Sequence, residues 1–224
     1  MVKRIGVIFL LMLLVLFSAC NRYDSRRDFR IAEIRSDDNI ASITGYLGRR
    51  VTIRIPPRIR GQTITQIGPA AFAGKGIIDI TIPDTVRSIG RNAFLGNRLT
   101  SVTLPNSLVN IREGAFGSNR LTSVTIPNSV RYIGTDAFRD NRLTSVTIPN
   151  GVREIHNRAF WGNPLTSITI GANVEFLGGT LDGGIGWTNR PFGYDGFEEA
   201  YIAAGRLAGT YTRPDTTSTT WTRQ

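Results

Sequence analysis

One histidine, His156, and one cysteine, Cys20, are the only imidazole and thiol in the 224-residue chain. A lone thiol forbids an intrachain disulfide, and a zinc site or a Cys–His nucleophile needs partners that this pair cannot supply. No Ser–His–Asp set assembles around His156, which occupies a register position held elsewhere by Gly90, Arg112 and Gly134, so a tolerated surface substitution is its expected state. The run "GGTLDGGIG" at residues 178–186 is rich in glycine. It lacks the lysine of a phosphate-binding loop and follows no nucleotide-binding strand and helix. These residues predict no enzyme, no metal and no cofactor.

The chemistry open to Cys20 is acylation. Lys3 and Arg4 precede a 13-residue apolar run at residues 5–17, and the small residues Ser18 and Ala19 stand just before the cysteine. That is the form of a secretory signal, too short to span a bilayer comfortably. "LFSAC" at residues 16–20 resembles a bacterial lipobox, with Phe17 where leucine is commoner. The resemblance implies cleavage before Cys20 and a diacylglyceryl group on its thiol. Each buried methylene contributes about 0.8 kcal/mol, so two or three acyl chains hold a protein on a membrane almost permanently. Losing residues 1–19 removes two basic residues and lowers the formal charge from +10 to +8. The expected product is exported and basic, lipid-anchored to the bacterial envelope at the outer membrane or cell surface, and export disfavours nucleic acid as a partner. Residues 20–30, dense in Arg and Asp, read as a polar tether, with ordered structure from near Ile31.

Binding chemistry comes from side chains that recur. Arg98, Arg120 and Arg142 stand 22 residues apart, and Arg87, Arg131 and Arg153 fall on a second register with the same step. Thr81, Thr103, Thr125, Thr147 and Thr169 form a third column beside Ser101, Ser123, Ser145 and Ser167. Stacked like charges about 5 Å apart cost roughly 0.8 kcal/mol per pair in water, and Asp136, Asp140 and Glu154 are the acids expected to neutralise some of that. Two outcomes stay open for the arginines: a solvated face, or a basic stripe for an acidic protein or glycan. The hydroxyls are open in the same way, as scaffold suited to strands or as a shallow groove for a polymer or protein.

What must position them is a stacked coil. Phe72, Phe94, Phe116, Phe138 and Phe160 keep the 22-residue step, as do Ile67, Ile89, Ile111, Ile133 and Ile155 and the prolines Pro83, Pro105, Pro127 and Pro149. A period of this size means supersecondary units that bury their apolar sides only against one another. In "LTSVTIP" at residues 121–127, Val124 and Ile126 alternate with Ser123 and Thr125, the mark of a strand with one buried face. Pro127 stops the ladder because it has no amide hydrogen. Val130 and Ile133 re-enter the core, Gly134 allows a tight bend, and Ala137 and Phe138 fill the interior. Stacking then sets strands about 4.8 Å apart in parallel. Asn97, Asn119, Asn141 and Asn163 recur at the turn, where an asparagine ladder can bond backbone groups of adjacent coils.

Leu121, Val124 and Ile126, followed by "IG" and "AF" at the matching offsets, resemble the BspA-like, or treponemal, leucine-rich repeats. The resemblance covers about residues 43–171, including a longer first unit at residues 55–74 and a first strand and turn at residues 41–48. The unit of 22 is about one residue shorter than is common in that family. It implies a mainly β leucine-rich repeat solenoid over residues 31–171, with short parallel strands on the concave face and irregular or short helical turns on the convex side. It also implies a surface lipoprotein, non-enzymatic and monomeric, that adheres to host or neighbouring-cell molecules. The competing reading is a periplasm-facing scaffold on cell wall or another anionic polymer.

Residues 172–224 carry no repeat and read as a cap. Residues 165–178 begin a further coil with Gly171 in place of proline, and its Phe-bearing half looks missing. Residues 195–209 suggest a short helix with Phe197, Tyr201 and Ala204 on one side, ended by Gly209, and residues 209–223 suggest a hairpin over the last coil. Trp187, Tyr194, Tyr211 and Trp221 are candidate exposed anchors for a partner.

Overall fold

The computed structural model describes residues 25–35, 38–177, 192 and 196–224. Cys20, the signal segment, the glycine run at 178–186, Trp187 and Tyr194 lie outside them. In chain order the strands are β1 (Phe29–Arg35), β2 (Ile40–Tyr46), β3 (Thr52–Arg54), β4 (Arg58–Ile59), β5 (Gln62–Ile67), β6 (Asp79–Thr81), β7 (Ser88–Ile89), β8 (Asn110–Ile111), β9 (Tyr132–Ile133), β10 (Ser145–Ile148), β11 (Glu154–His156), β12 (Ser167–Ile170), β13 (Glu175–Leu177), β14 (Gly209–Thr212) and β15 (Thr222–Arg223). Among the described residues one α-helix, α1 (Phe197–Ala203), precedes β14.

Each coil crosses two ladders. The first carries the Ser-x-Thr segments: parallel bridges join Thr81, Thr103, Thr125 and Thr147, and β10 pairs in register with β12. Val102, Val124, Val146 and Ile168 point inward and are at most 9% exposed, while the serines and threonines between them face out. The second ladder lies on the return half, where β5, β7, β8, β9, β11 and β13 pair in parallel. It sets Ile67, Ile89, Ile111, Ile133 and Ile155 into one fully buried column. The sequence shows only the first ladder, because strands of two residues are too short to display alternation.

The turn half of each coil holds the phenylalanines. Phe72, Phe94, Phe116, Phe138 and Phe160 stack with centroids 5.1–5.4 Å apart and planes within 16° of parallel. Two backbone positions per coil are left-handed. Ala70, Asn92, Gly114, Asp136 and Arg158 form one column with φ of 51–61°, and Gly74, Gly96, Ser118, Asp140 and Gly162 form another with φ of 51–75°. Glycine, asparagine and aspartate suit these turns, whereas Ala70 and Arg158 cost about 1–2 kcal/mol each in backbone strain.

The asparagines bind backbone across coils. Asn119 Oδ1 accepts from Leu99 N at 3.2 Å, and its Nδ2 donates to Phe94 O at 2.9 Å and Phe116 O at 3.1 Å. Asn97, Asn141 and Asn163 repeat that set one coil up or down. Each one satisfies backbone groups that the turn would otherwise bury unpaired.

Both ends differ from the sequence expectation. Among the described residues a 3-10 turn at Arg26–Asp28 leads into β1, whose Phe29 is 1% exposed, so the chain is in the core before Ile31. At the other end the last coil does not lack its phenylalanine. Phe192 stacks on Phe160 at 5.1 Å and 5°, so the missing ring arrives after a longer excursion than the 22-residue step allows. The helix ends at its C-cap Ala204, before the left-handed pair Gly205 and Arg206, rather than at Gly209. Tyr201 on α1 locks the cap to that coil, donating from its hydroxyl to Gly171 O at 2.8 Å and accepting from Val174 N at 3.1 Å. β14 then pairs antiparallel with β12, and β15 with β14, which closes the edge of the first ladder. Tyr211 and Trp221 are 0% and 7% exposed, so they are core residues of the cap and not surface anchors.

Candidate functional site

The outward face of the first ladder is built from the alternation itself. Because inward Val and Ile fill the core, Ser101, Thr103, Ser123, Thr125, Ser145 and Thr147 are forced out and stand exposed. Thr100, Thr122 and Thr144 add a third exposed column. The Thr122 amide donates to Thr100 O at 3.1 Å, binding neighbouring coils at the start of the segment. The columns run on into the cap. Ser167 pairs with Thr212 and Thr212 with Thr222, while Thr169 meets Thr210 with hydroxyls 2.9 Å apart. The face is therefore an uncharged, regular plane of hydroxyls with no aromatic side chain on its repeat columns.

Beside it stand Arg98, Arg120 and Arg142. Their amides donate to Ile77 O, Leu99 O and Leu121 O at 2.8–2.9 Å, so the three side chains leave equivalent points on consecutive coils. All three are exposed, and none has an ion pair among the described residues. Gly76 and Pro164 occupy the same register on either side, which limits the column to three coils.

The second arginine register is not equivalent. Val109 interrupts it, and Arg131 is engaged: its guanidinium donates to Asn128 O at 2.7 Å and Gly151 O at 3.0 Å. Gly151 makes this possible, because a Cβ there would lie 2.5 Å from that guanidinium nitrogen. Arg87 and Arg153 remain exposed. The acids expected to neutralise these columns turn elsewhere. Asp136 pairs with Arg158 at 2.8 Å, Asp140 with Arg139 at 3.1 Å, and Glu154 lies 3.5 Å from His156. His156 packs against Tyr132, ring centroids 4.6 Å apart, and burial raises the pKa of the Tyr132 hydroxyl.

On the turn side Gly117 stands in the register of Leu95 and Arg139 and opens a shallow groove between them, with Glu113, Asp136 and Asp140 in its wall. Its charges are matched in place, since Glu113 meets Arg91 at 2.9 Å and the two aspartates pair as above. No group of three His, Cys, Asp or Glu able to hold a metal occurs among the described residues. Among the same residues no helix is long and apolar enough to cross a membrane.

Comparison with known proteins places this geometry. The model of the BspA type leucine rich repeat region matches six copies over residues 65–181, which is 117 of the 224 residues. A solved leucine-rich repeat protein of T. pallidum is 28% identical, with a TM-score of 0.53 over 70% of this chain and 81% of that one. A leucine-rich repeat protein of Bacteroides ovatus is 24% identical with a TM-score of 0.51, over 67% of this chain and 39% of that one, and shares the fold. No curated protein matches. Six tandem copies, the asparagine and phenylalanine ladders and the solved relatives agree: the chain belongs to the family of BspA type leucine-rich repeat proteins.

Proposed function

We propose that this protein is a lipid-anchored envelope protein whose repeat face binds an acidic partner outside the cell, as an adhesin does. Binding to proteins is the general role of leucine-rich repeat families, which are generally non-enzymatic. The observation that carries the finer reading is the column Arg98, Arg120 and Arg142, three exposed cations in register beside an uncharged hydroxyl plane. Such a column meets an extended anionic chain, a sulfated glycan or an acidic protein edge, at one contact per coil, and the hydroxyls supply hydrogen bonds without setting a competing charge. Cys20 supplies the anchor through its acylated thiol.

Two measurements test this. The protein is expected to be retained on immobilised sulfated glycan and released by salt, and the variant Arg98→Gln/Arg120→Gln/Arg142→Gln is expected to elute markedly earlier. Equal elution of the two removes the basic column from the binding site. Protease treatment of intact cells is expected to digest the protein while a periplasmic control survives. Protection until the outer layer is broken, with retention by purified cell wall, replaces the adhesin by a periplasm-facing scaffold.

A further inference from the structure

Charge and exposed apolar surface are both unevenly distributed along the solenoid. Residues 21–60 hold ten arginines against five acids, while residues 61–224 hold fifteen basic residues against twelve acids. Five of the eight net charges left after loss of residues 1–19 thus sit in the first 40 residues. Of the seven large hydrophobic side chains exposed among the described residues, Ile34, Leu47, Val51 and Ile78 lie in the first two coils, and the others, Leu177, Ile202 and Leu207, lie at the far end. The coils between expose none.

These features meet on one layer. β1 is the terminal strand of the return ladder and β3 the terminal strand of the other, so the segment between β2 and β3 forms the end of the stack. The Leu47 amide donates to Asp28 O at 2.7 Å, tying the 3-10 turn that carries Arg26 and Arg27 to the loop that carries Arg49 and Val51. Val51 O accepts from Ile78 N at 2.8 Å, which sets those two apolar side chains on adjoining coils. Arg26, Arg27, Arg30 and Arg49 are exposed around Leu47, which is 54% exposed, and Val51, 42% exposed. Five residues of chain, 21–25, separate the turn of this layer from Cys20, and a chain spans at most about 3.6 Å per residue.

We infer that the N-terminal end of the solenoid, Arg26, Arg27, Arg30 and Arg49 around Leu47 and Val51, is a docking surface for a bilayer bearing anionic headgroups. The guanidinium groups pair with headgroup phosphates, and the two apolar side chains enter the interface between them. An acyl anchor alone leaves a rod free to lie down. A basic, apolar end beside the anchor stands the stack on the membrane and carries the repeat face away from it. The orientation rests on the acylated Cys20 of the proposed function, whereas the surface itself does not need it.

The test therefore omits the lipid. Among the described residues every core residue lies between Phe29 and Trp221, so a chain of residues 20–224 with Cys20→Ser carries the whole described fold. Its sedimentation with phosphatidylcholine vesicles is compared with that on vesicles also containing phosphatidylglycerol. Binding is expected only to the anionic vesicles, and weaker at high salt. Arg26→Gln/Arg27→Gln/Arg30→Gln/Arg49→Gln is expected to lower the partition coefficient about tenfold or more. Leu47→Ser/Val51→Ser is expected to lower it by a smaller factor, and Arg98→Gln/Arg120→Gln/Arg142→Gln to leave it unchanged. The corresponding four Arg→Lys changes retain charge and are expected to retain binding, which separates a docking loss from a folding loss. No binding to anionic vesicles, equal binding to neutral ones, or equal loss in the repeat-column variant would each overturn the inference. Mass analysis of Cys20 in the membrane-extracted protein tests the anchor independently, so its failure is distinguishable from failure of the surface.

Discussion

The repeat core and the cap bury the same kinds of side chain and arrange them by opposite rules. From Phe72 to Phe160 successive rings lie within 16° of parallel, because each coil repeats the backbone of the last, and Phe192 adds a further ring at 5°. Beyond Phe192 the rule breaks. Phe197 meets Phe192 at 69°, Tyr211 at 90° and Trp221 at 70°. A single cap has no neighbour to copy, so most of its ring pairs adopt the crossed contacts that aromatic quadrupoles favour, with Phe197 and Tyr201, at 18°, the exception. Translational order makes the middle extendable, and crossed packing ends it.

The largest test of that contrast is Phe116→Ala. It removes a fully buried ring flanked by two others and is expected to cost about 3–5 kcal/mol. Hydrogen exchange should then rise on both neighbouring coils, whereas Phe197→Ala should loosen α1 and the hairpin and spare the middle coils. Exchange confined to the cap in both variants would break the comparison. Asn119→Ala is next, since it strands Leu99 N and takes one of two asparagine donors from each of Phe94 O and Phe116 O, and chemical denaturation should show a loss of about 1–3 kcal/mol. Tyr201→Phe should cost about 1–2 kcal/mol and release the cap from Gly171 and Val174, read by exchange at the Val174 amide.

A pH titration sharpens the comparison further. Burial raises the pKa of Tyr132, Tyr201 and Tyr211 above the ordinary tyrosine value of 10.0. The unfolded chain ionises first, so stability from these hydroxyls is complete below that value and lost as pH rises through the folded ones. Two of the three sit in the cap, which is expected to open before the coils in alkaline solution, followed by near-ultraviolet spectra of the tyrosines. The smallest effect belongs to Arg98→Gln/Arg120→Gln/Arg142→Gln. Its melting is expected to stay within about 0.5 kcal/mol of the parent, since exposed cations on adjacent coils are screened.

What the sequence shows and hides follows from periodicity. The Phe, Asn and inward Val columns are visible because three or more copies share one step. Phe192 is hidden because it lies 32 residues after Phe160 and no ruler of 22 reaches it. Tyr211 was legible in principle, since "TYT" alternates and puts the tyrosine opposite its threonines, on the face that packs inward. In the candidate site the spacing reveals the arginine registers, but only the fold separates Arg131 from Arg87 and Arg153. The distinction turns on Gly151, a missing side chain one coil away.

The uniform phenylalanine and asparagine contacts have a genetic consequence. Each middle interface is interchangeable with the next, so loss or duplication of one 22-residue unit leaves the same contacts at the junction. The near-identical stretches at residues 98–106, 120–128 and 142–150 are also the places where two gene copies would misalign and recombine. Lineages carrying this gene are therefore expected to differ in whole coils, lengthening or shortening the arginine column one cation at a time while both ends stay constant.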